Sequence, residues 1–305
     1  MHGPCGHRGG APVKREILLV PHASRADNLE ATIRAAEILQ DAGIKVRVSA
    51  AEHVLPNLQH VEHTPAAAAG CELVLVLGGD GTFLRAADMA RAVDVPVLGI
   101  NLGHVGFLAE WEAESLERAL VRVIDRNYEV ENRLTLDIEV SDCNGRLLDR
   151  GWALNEASVE NLNRSGVLDA ILEVDGRPVS SFGCDGILIS TPTGSTAYAF
   201  SAGGPVLWPS LDALLVVPNN AHALFTKPLV VSPDSKIAVE SATATTPAIV
   251  ILDGFREISM PPGARVEAVR GVHPVKWVRL DNQPFTDRLV SKLHLPVHGW
   301  RGPQS

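Results

Sequence analysis

Five consecutive residues, Gly78-Gly79-Asp80-Gly81-Thr82, carry the strongest chemical signal in the chain. They follow the apolar run Leu73 to Leu77 and precede a stretch with helical spacing. That is the position, between strand and helix, at which open parallel sheets bind ligands. Glycines there allow positive φ and a close approach of backbone to ligand. Successive N–H groups and a helix N-terminus then favour an anion. The stretch is not a Gly-Lys-Ser/Thr phosphate loop, nor a dinucleotide fingerprint, because Leu84 stands where the third glycine belongs. Asp80 is the informative residue. A carboxylate among phosphates repels them unless it accepts a proton or holds a metal; the plainer alternative is that it caps the helix.

Other segments offer polar groups of the right kind. Asn155-Glu156 follows the apolar Trp152-Ala153-Leu154 and pairs an amide with a carboxylate, which suits sugar hydroxyls or an amide; a plain turn would read the same way. Gly183-Cys184-Asp185-Gly186 leads through Ile187-Leu188-Ile189 into Thr191-Pro192-Thr193-Gly194-Ser195-Thr196-Ala197-Tyr198. Hydroxyls around one Gly and one Pro make a donor-rich loop able to wrap a ribose or phosphate, or simply a turn that caps a helix. Asn101 to Phe107 is a second glycine loop after a strand, and His222 is one of 11 histidines.

The elements that must position these groups change in kind along the chain. Before residue 130, apolar runs at Ile17–Val20, Leu73–Leu77 and Val95–Ile100 alternate with helical patterns over 27–42, 83–92 and 112–126. Such alternation implies right-handed crossovers and a mostly parallel sheet. Beyond it, Leu134 to Val140 alternates, Asn144-Gly145 and Asp175-Gly176 are hairpin signals, and short pieces near 236–240, 248–252, 265–268 and 275–280 predict an antiparallel sandwich. The fold class expected is therefore an α/β N-terminal domain over 17–129 and an all-β domain over 130–283. Residues 1–16 read as a loose tail, and 284–305 as an amphipathic helical segment returning to the first domain.

Composition narrows the partners. With 27 Lys and Arg against 36 Asp and Glu, the formal charge is −9, which disfavours nucleic acid and anionic membranes as main partners. No apolar run approaches the roughly 20 residues of a membrane span. Cys5, Cys71, Cys143 and Cys184 are scattered and fit neither a disulfide framework nor a zinc site, so a cytoplasmic, reduced setting is expected.

Taken together, Gly78 to Thr82, Asn101 to Phe107, Asn155-Glu156 and the block from Asp185 to Ser201-Ala202-Gly203-Gly204-Pro205 resemble the bacterial ATP- or polyphosphate-dependent NAD kinases, most closely actinobacterial members. The glycine–aspartate loop is shared with lipid and sugar kinases; Asn155-Glu156 with the Thr-Gly-Ser-Thr-Ala-Tyr block is more specific. The resemblance implies transfer of a phosphoryl group from ATP or inorganic polyphosphate to the 2′-hydroxyl of the adenosine ribose of NAD. It implies Asp80 as general base, Gly78, Gly79, Gly81, Thr82 and Arg85 about the donor phosphates, and Mg²⁺ offsetting their charge. Asn155 and Glu156 would hold the adenosine side of NAD, and Thr193, Thr196, Ala197, Tyr198 and Ser201 its nicotinamide and adenine ends. Arg164 and His222 are further expected contacts near the phosphates. Asp185 would reach a ligand bound by a neighbouring subunit of a homo-oligomer, dimer or tetramer. Domain 17–129 would then handle the phosphate donor and 130–283 the NAD. Phe255 departs from the polar residue usual after Asp253-Gly254, with Arg256 a substitute. A lipid or sugar kinase of the same superfamily and a non-catalytic dinucleotide sensor are the alternatives.

Overall fold

Ile17-Leu18-Leu19-Val20 is apolar at every position and wholly buried, as a strand must be when helices cover both faces of a parallel sheet. The computed structural model describes residues 15–22, 26–49, 58–101, 106–108, 111–112, 116–162, 166–223, 226–242, 247–280 and 283–297. They fall into two units, Met1–Val130 with Val278–Asn282 and Glu131–Trp277 with Gln283–Ser305.

The first unit runs β1 (Glu16–Pro21), α1 (Ala26–Asp41), β2 (Lys45–Val48), β3 (Gln59–His60), α2 (Pro65–Ala68), β4 (Leu73–Leu77), α3 (Asp80–Arg91), β5 (Val97–Asn101), β6 (Trp111–Glu112), α4 (Leu116–Ile124) and β7 (Glu129–Arg133). Glu16, counted with the tail from sequence, opens β1 and is paired with Lys45 in register. Strands β1, β2, β4 and β5 pair in parallel. Leu73 to Leu77 are buried throughout, and each fully buried leucine or valine contributes about 1.5–3 kcal/mol. Helix α3 buries Phe83, Leu84, Ala86, Ala87, Met89 and Ala90 while Arg85 stays exposed. That face fixes the helix with its N-terminus just beyond the carboxyl end of β4. The helix begins three residues earlier than the sequence pattern predicts, because Gly79 O accepts from Thr82 N (3.0 Å) and Phe83 N (3.1 Å).

The chain continues with β8 (Leu136–Ser141), β9 (Leu147–Ala153), β10 (Glu156–Asn161), β11 (Leu168–Val174), β12 (Arg177–Cys184), β13 (Gly186–Ser190), α5 (Tyr198–Ser201), β14 (Leu214–Asn219), β15 (Leu229–Val231), β16 (Ile237–Ser241), β17 (Ala248–Leu252), β18 (Arg256–Met260), β19 (Arg265–Arg270), β20 (Val275–Arg279) and α6 (Phe285–Leu293). Two six-stranded antiparallel sheets form, β15-β14-β13-β10-β17-β18 and β12-β11-β16-β19-β8-β9. One core takes alternate residues from both, including Ile138, Leu172, Val239, Val159, Ile187 and Val250, which is sandwich packing. At the β11–β12 hairpin Asp175 (φ 52°) and Gly176 (φ 72°) both take positive φ, as a tight primed turn requires.

Two expectations about the C-terminal part change. The sequence pattern groups residues 275–280 with the antiparallel strands, but β20 lies between β5 and β7 in the eight-stranded sheet, where Val278 and Leu280 join the α/β core. The described residues of the C-terminal segment, 284–297, do not group with that unit. They group with the β-rich one, where Phe285 of α6 packs edge-on against Trp208 at 5.2 Å. The return to the α/β unit is made by a buried strand, because its apolar residues fill an interior that an amphipathic helix with exposed polar residues cannot.

Candidate functional site

In the α/β unit the candidate site is built around Asp80. It is the first residue of α3, but its side chain does not cap the helix: Gly79 is the N-cap residue. Instead Asp80 Oδ2 accepts from the N–H of Phe107 (3.1 Å) and Oδ1 from the N–H of Leu108 (2.9 Å). A strand-end loop thus grips the carboxylate with two backbone donors and fixes its direction. Gly106 is required by space, since a Cβ there would overlap Asp80 Oδ1. The loop glycines differ from expectation in how they matter: none of Gly78, Gly79 and Gly81 has positive φ. Gly78 is needed because a Cβ would press on Thr82 Oγ1 at 2.8 Å, whereas Gly79 and Gly81 face open space. That is room beside an acid and a helix N-terminus. Arg85, one turn on, is exposed and near His63, whose pKa is lowered by burial and then by the Arg85 charge, against the pull of the Arg85 backbone.

In the β-rich unit a second set of polar groups is built around the Leu154-Asn155 turn between β9 and β10. Asp253, at the tip of the β17–β18 hairpin, accepts the N–H of Leu154 on Oδ2 (3.0 Å) and of Asn155 on Oδ1 (2.6 Å). Its own N–H donates to Glu156 O at 3.0 Å. Arg256 donates to Asp253 Oδ2 at 2.6 Å and lies over the Trp152 ring at 4.5 Å and the Phe255 ring at 4.8 Å. Arg256 is thus engaged with Asp253 and with two aromatic rings. From the other side, Ser190 Oγ donates to Asn155 O (3.0 Å) and Thr191 Oγ1 to Leu154 O (2.6 Å). A Cβ on Gly194 would overlap the Asn155 carbonyl. The Asn155 backbone is bolted from two directions.

That leaves two side chains poised. Asn155 Oδ1 and Glu156 Oε2 are buried and have no hydrogen-bond partner among the described residues; both residues are 6% exposed. Burial, and secondarily the Asp253 charge, push the Glu156 carboxyl up to about 8, with the Tyr198 N–H pulling it back. Burial also raises Asp253, opposed by the Leu154 N–H, the Arg256 charge and the Asn155 and Glu156 N–H groups. Asp253 has a cation and backbone donors to stabilise its anion; Glu156 has less, so at neutral pH Glu156 keeps its proton. A protonated acid next to an amide oxygen in sequence is one donor and one acceptor, both on buried residues.

The hydroxyl loop divides between inward and outward groups. Thr191 and Ser195 turn inward, Ser195 Oγ donating to Pro192 O (2.7 Å) and accepting from Leu207 N (2.8 Å). Thr193 and Thr196 sit in the 3₁₀ turn Thr193–Thr196, Ala197 links it to α5, and exposed Ser201 ends α5. Tyr198 is 40% exposed and accepts from Asn219 at 3.3 Å. Burial raises its pKa, followed by the charges of Glu160, Asp185 and Glu156, so these groups are neighbours. Asp185 is exposed and accepts from Asn220 Nδ2 at 2.7 Å, while His222 N bonds Gly183 O (2.8 Å) beside it. Arg164 and residues 102–105 lie outside the described residues.

Comparison with known proteins covers both stretches of the chain. Residues 17–128 match the ATP-NAD kinase N-terminal domain and 154–280 the ATP-NAD kinase C-terminal domain. The NAD kinase of Corynebacterium efficiens is 69% identical over 298 residues, covering 95% of this chain and 94% of that one. The chain belongs to the NAD kinase family. The NAD kinase of Corynebacterium glutamicum is 72% identical over 278 residues, covering 88% of this chain and 96% of its own. The crystal structure of an Archaeoglobus fulgidus NAD kinase in complex with ATP superposes with a TM-score of 0.70 at 27% identity, covering 92% of this chain and 98% of that one. Two groups of this kinase escape a reading of its sequence. Asp253 looks like an ordinary Asp-Gly turn, and the Phe107 and Leu108 donors belong to the backbone, which no side-chain motif reports. Among the described residues, no helix is long and apolar enough to cross a membrane.

Proposed function

We infer that this chain phosphorylates NAD to NADP with ATP as donor, Asp80 acting as general base. The observation that carries the assignment is the grip of Phe107 and Leu108 on the Asp80 carboxylate beside open space at Gly79 and Gly81. In the reaction the 2′-hydroxyl of the adenosine ribose gives its proton to Asp80. Its oxygen bonds to the terminal phosphorus, and the bond from that phosphorus to the bridging oxygen breaks, leaving ADP. Phosphoryl transfer relies on positioning and on charge neutralisation more than on a strong base, so a fixed carboxylate suffices. The loop amides and the N-terminus of α3, with Arg85 one turn on, receive the donor phosphates; inorganic polyphosphate presents the same oxygens.

Asn155 and protonated Glu156 are assigned to the adenosine side of NAD, their unpartnered atoms matching one acceptor and one donor of the ligand. Tyr198, with Thr193, Thr196, Ala197 and Ser201, is assigned to the ring ends of NAD. Arg164 and His222 remain proposed contacts. Among the described residues no three His, Cys, Asp or Glu side chains group as a metal site. Mg²⁺, which commonly binds through one or two carboxylates and substrate phosphates, fits as part of the nucleotide, where it would neutralise phosphate charge. Asp185, exposed at the β12–β13 turn, is assigned to a ligand of a neighbouring subunit in a homo-oligomer.

The test is a coupled NADP-formation assay with ATP or polyphosphate as donor and NAD, diacylglycerol or a sugar as acceptor. NADP formed only from NAD is the expected result. Failure to form it with either donor would remove the assignment, and phosphorylated lipid or sugar would replace it.

A further inference from the structure

A second basic site lies at the other end of the parallel sheet. A cavity of about 390 Å³ is lined by Arg122, Arg126, Asn127, Tyr128, Glu129 and Arg279, among others. Arg122 is in the last turn of α4, Arg126 just beyond it, and Arg279 at the end of β20. This end of the sheet is anchored by Glu72, which precedes β4, whereas Gly78 follows it. Strand rise over those residues separates the two by about 20 Å, so the cavity and the Asp80 loop are distinct places on the α/β unit.

The polar groups around the cavity are arranged for an anion. Glu72 is saturated: Arg15 grips its two oxygens at 2.8 Å each, Arg126 Nη2 reaches Oε2 at 2.9 Å, and the Tyr128 hydroxyl reaches Oε1 at 3.3 Å. Burial raises its pKa, but Arg15 and Arg126 bring it to about 2, so it stays ionised. The Arg122 side chain is committed little: among the described residues its one hydrogen bond runs from Nε to Asn127 O at 3.3 Å. Counting Arg15, Arg122, Arg126 and Arg279 against Glu72 and Glu129 gives 4 − 2, a local charge of +2 in a chain of −9. Arg126 holds its fork there from a left-handed backbone (φ 53°), a conformation that favours glycine or asparagine. Planar forks converging on a recess match the oxygens of linked phosphates, which accept in pairs.

We propose that this cavity binds a small anion with linked phosphoryl groups, such as inorganic pyrophosphate or the diphosphate end of a nucleotide, independently of the Asp80 loop.

The test is isothermal titration of pyrophosphate, and separately of ADP, into wild-type protein and into R122Q/R279Q. Expected is loss of one binding event, or at least a tenfold weaker one, in the variant. Loss with pyrophosphate alone points to a free inorganic ligand; loss with both points to the diphosphate of a nucleotide. NADP formation at saturating substrates should stay within twofold of wild type, and D80N should retain the binding event. Isotherms of the variant that superimpose on wild type with both probes overturn the proposal, as does a parallel collapse of turnover, which would place the arginines in the reaction itself. If the double variant unfolds, R122Q alone carries the test, since that side chain makes a single exposed hydrogen bond. A chain that forms no NADP yet loses pyrophosphate binding with these substitutions would support this site while removing the proposed activity.

Discussion

Replacing Glu156 by glutamine should flatten the pH dependence of stability. The folded carboxyl sits at about 8, against 4.5 for the free group. A pKa raised by folding means stability that is fully present below the unfolded value and is lost as pH rises toward the folded one. In wild type the loss should therefore run from about pH 4.5 to about pH 8. One pH unit is worth about 1.4 kcal/mol for a single proton, so the interval from about pH 5 to about pH 8 is worth about 4 kcal/mol. Glu156 is almost wholly buried, so solvent screening takes little from this. The glutamine amide of the variant cannot ionise and resembles the protonated acid in shape. His63 works the other way: burial lowers its pKa, which adds stability as pH rises toward about 6.5. Taking the difference between variant and wild type removes that contribution. The measurement is urea or thermal unfolding at successive pH values. At about 2–4 °C per kcal/mol, the variant should gain about 8–16 °C relative to wild type between pH 5 and pH 8. Parallel curves for the two proteins would refute both the protonated state of Glu156 and its assignment as a donor.

Three further outcomes are expected. Asp80→Asn should lower kcat for NADP formation by about 10²–10⁴, the usual contribution of a general base, while KM for NAD moves little; an unchanged kcat removes the base. Gly106→Ala should push the Asp80 carboxylate out of its clasp, and since a shift near 1 Å costs about 10²-fold, kcat should fall by that order with the fold intact by circular dichroism. Asp253→Ala leaves the Arg256 charge and the Leu154 and Asn155 N–H groups without their acceptor, at a cost of about 3–5 kcal/mol; unfolding should occur at correspondingly lower urea, and in the folded fraction KM for NAD should rise, whereas an unaltered KM would separate Asp253 from ligand binding.

Much of the fold was legible because its signals are local. Continuous apolar runs at Ile17–Val20 and Leu73–Leu77 mark strands covered on both faces, and Asn144-Gly145 and Asp175-Gly176 mark turns that need positive φ. The fate of residues 275–305 was not legible. A short strand does not declare which sheet it joins, and β20 enters one whose other members are more than a hundred residues away. Among the candidate site residues, Asp80 and Asn155-Glu156 stood out by residue type. What orients them did not, because Phe107 and Leu108 act through N–H groups that every residue but proline has, and Asp253 acts across a sheet from 98 positions away. Within the hydroxyl loop, Thr191 bonds the Leu154 carbonyl and Ser195 the Pro192 carbonyl, a use that sequence cannot tell from ligand binding.

The clasp on Asp80 has a consequence for how the chain can change. Its two donors are main-chain groups, so the clasp itself asks of residues 107 and 108 only that neither be proline, while the buried Leu108 side chain is held by packing. The vulnerable position is the neighbouring glycine, where adding a single methyl group is enough. Tolerance and fragility thus sit side by side in one short loop.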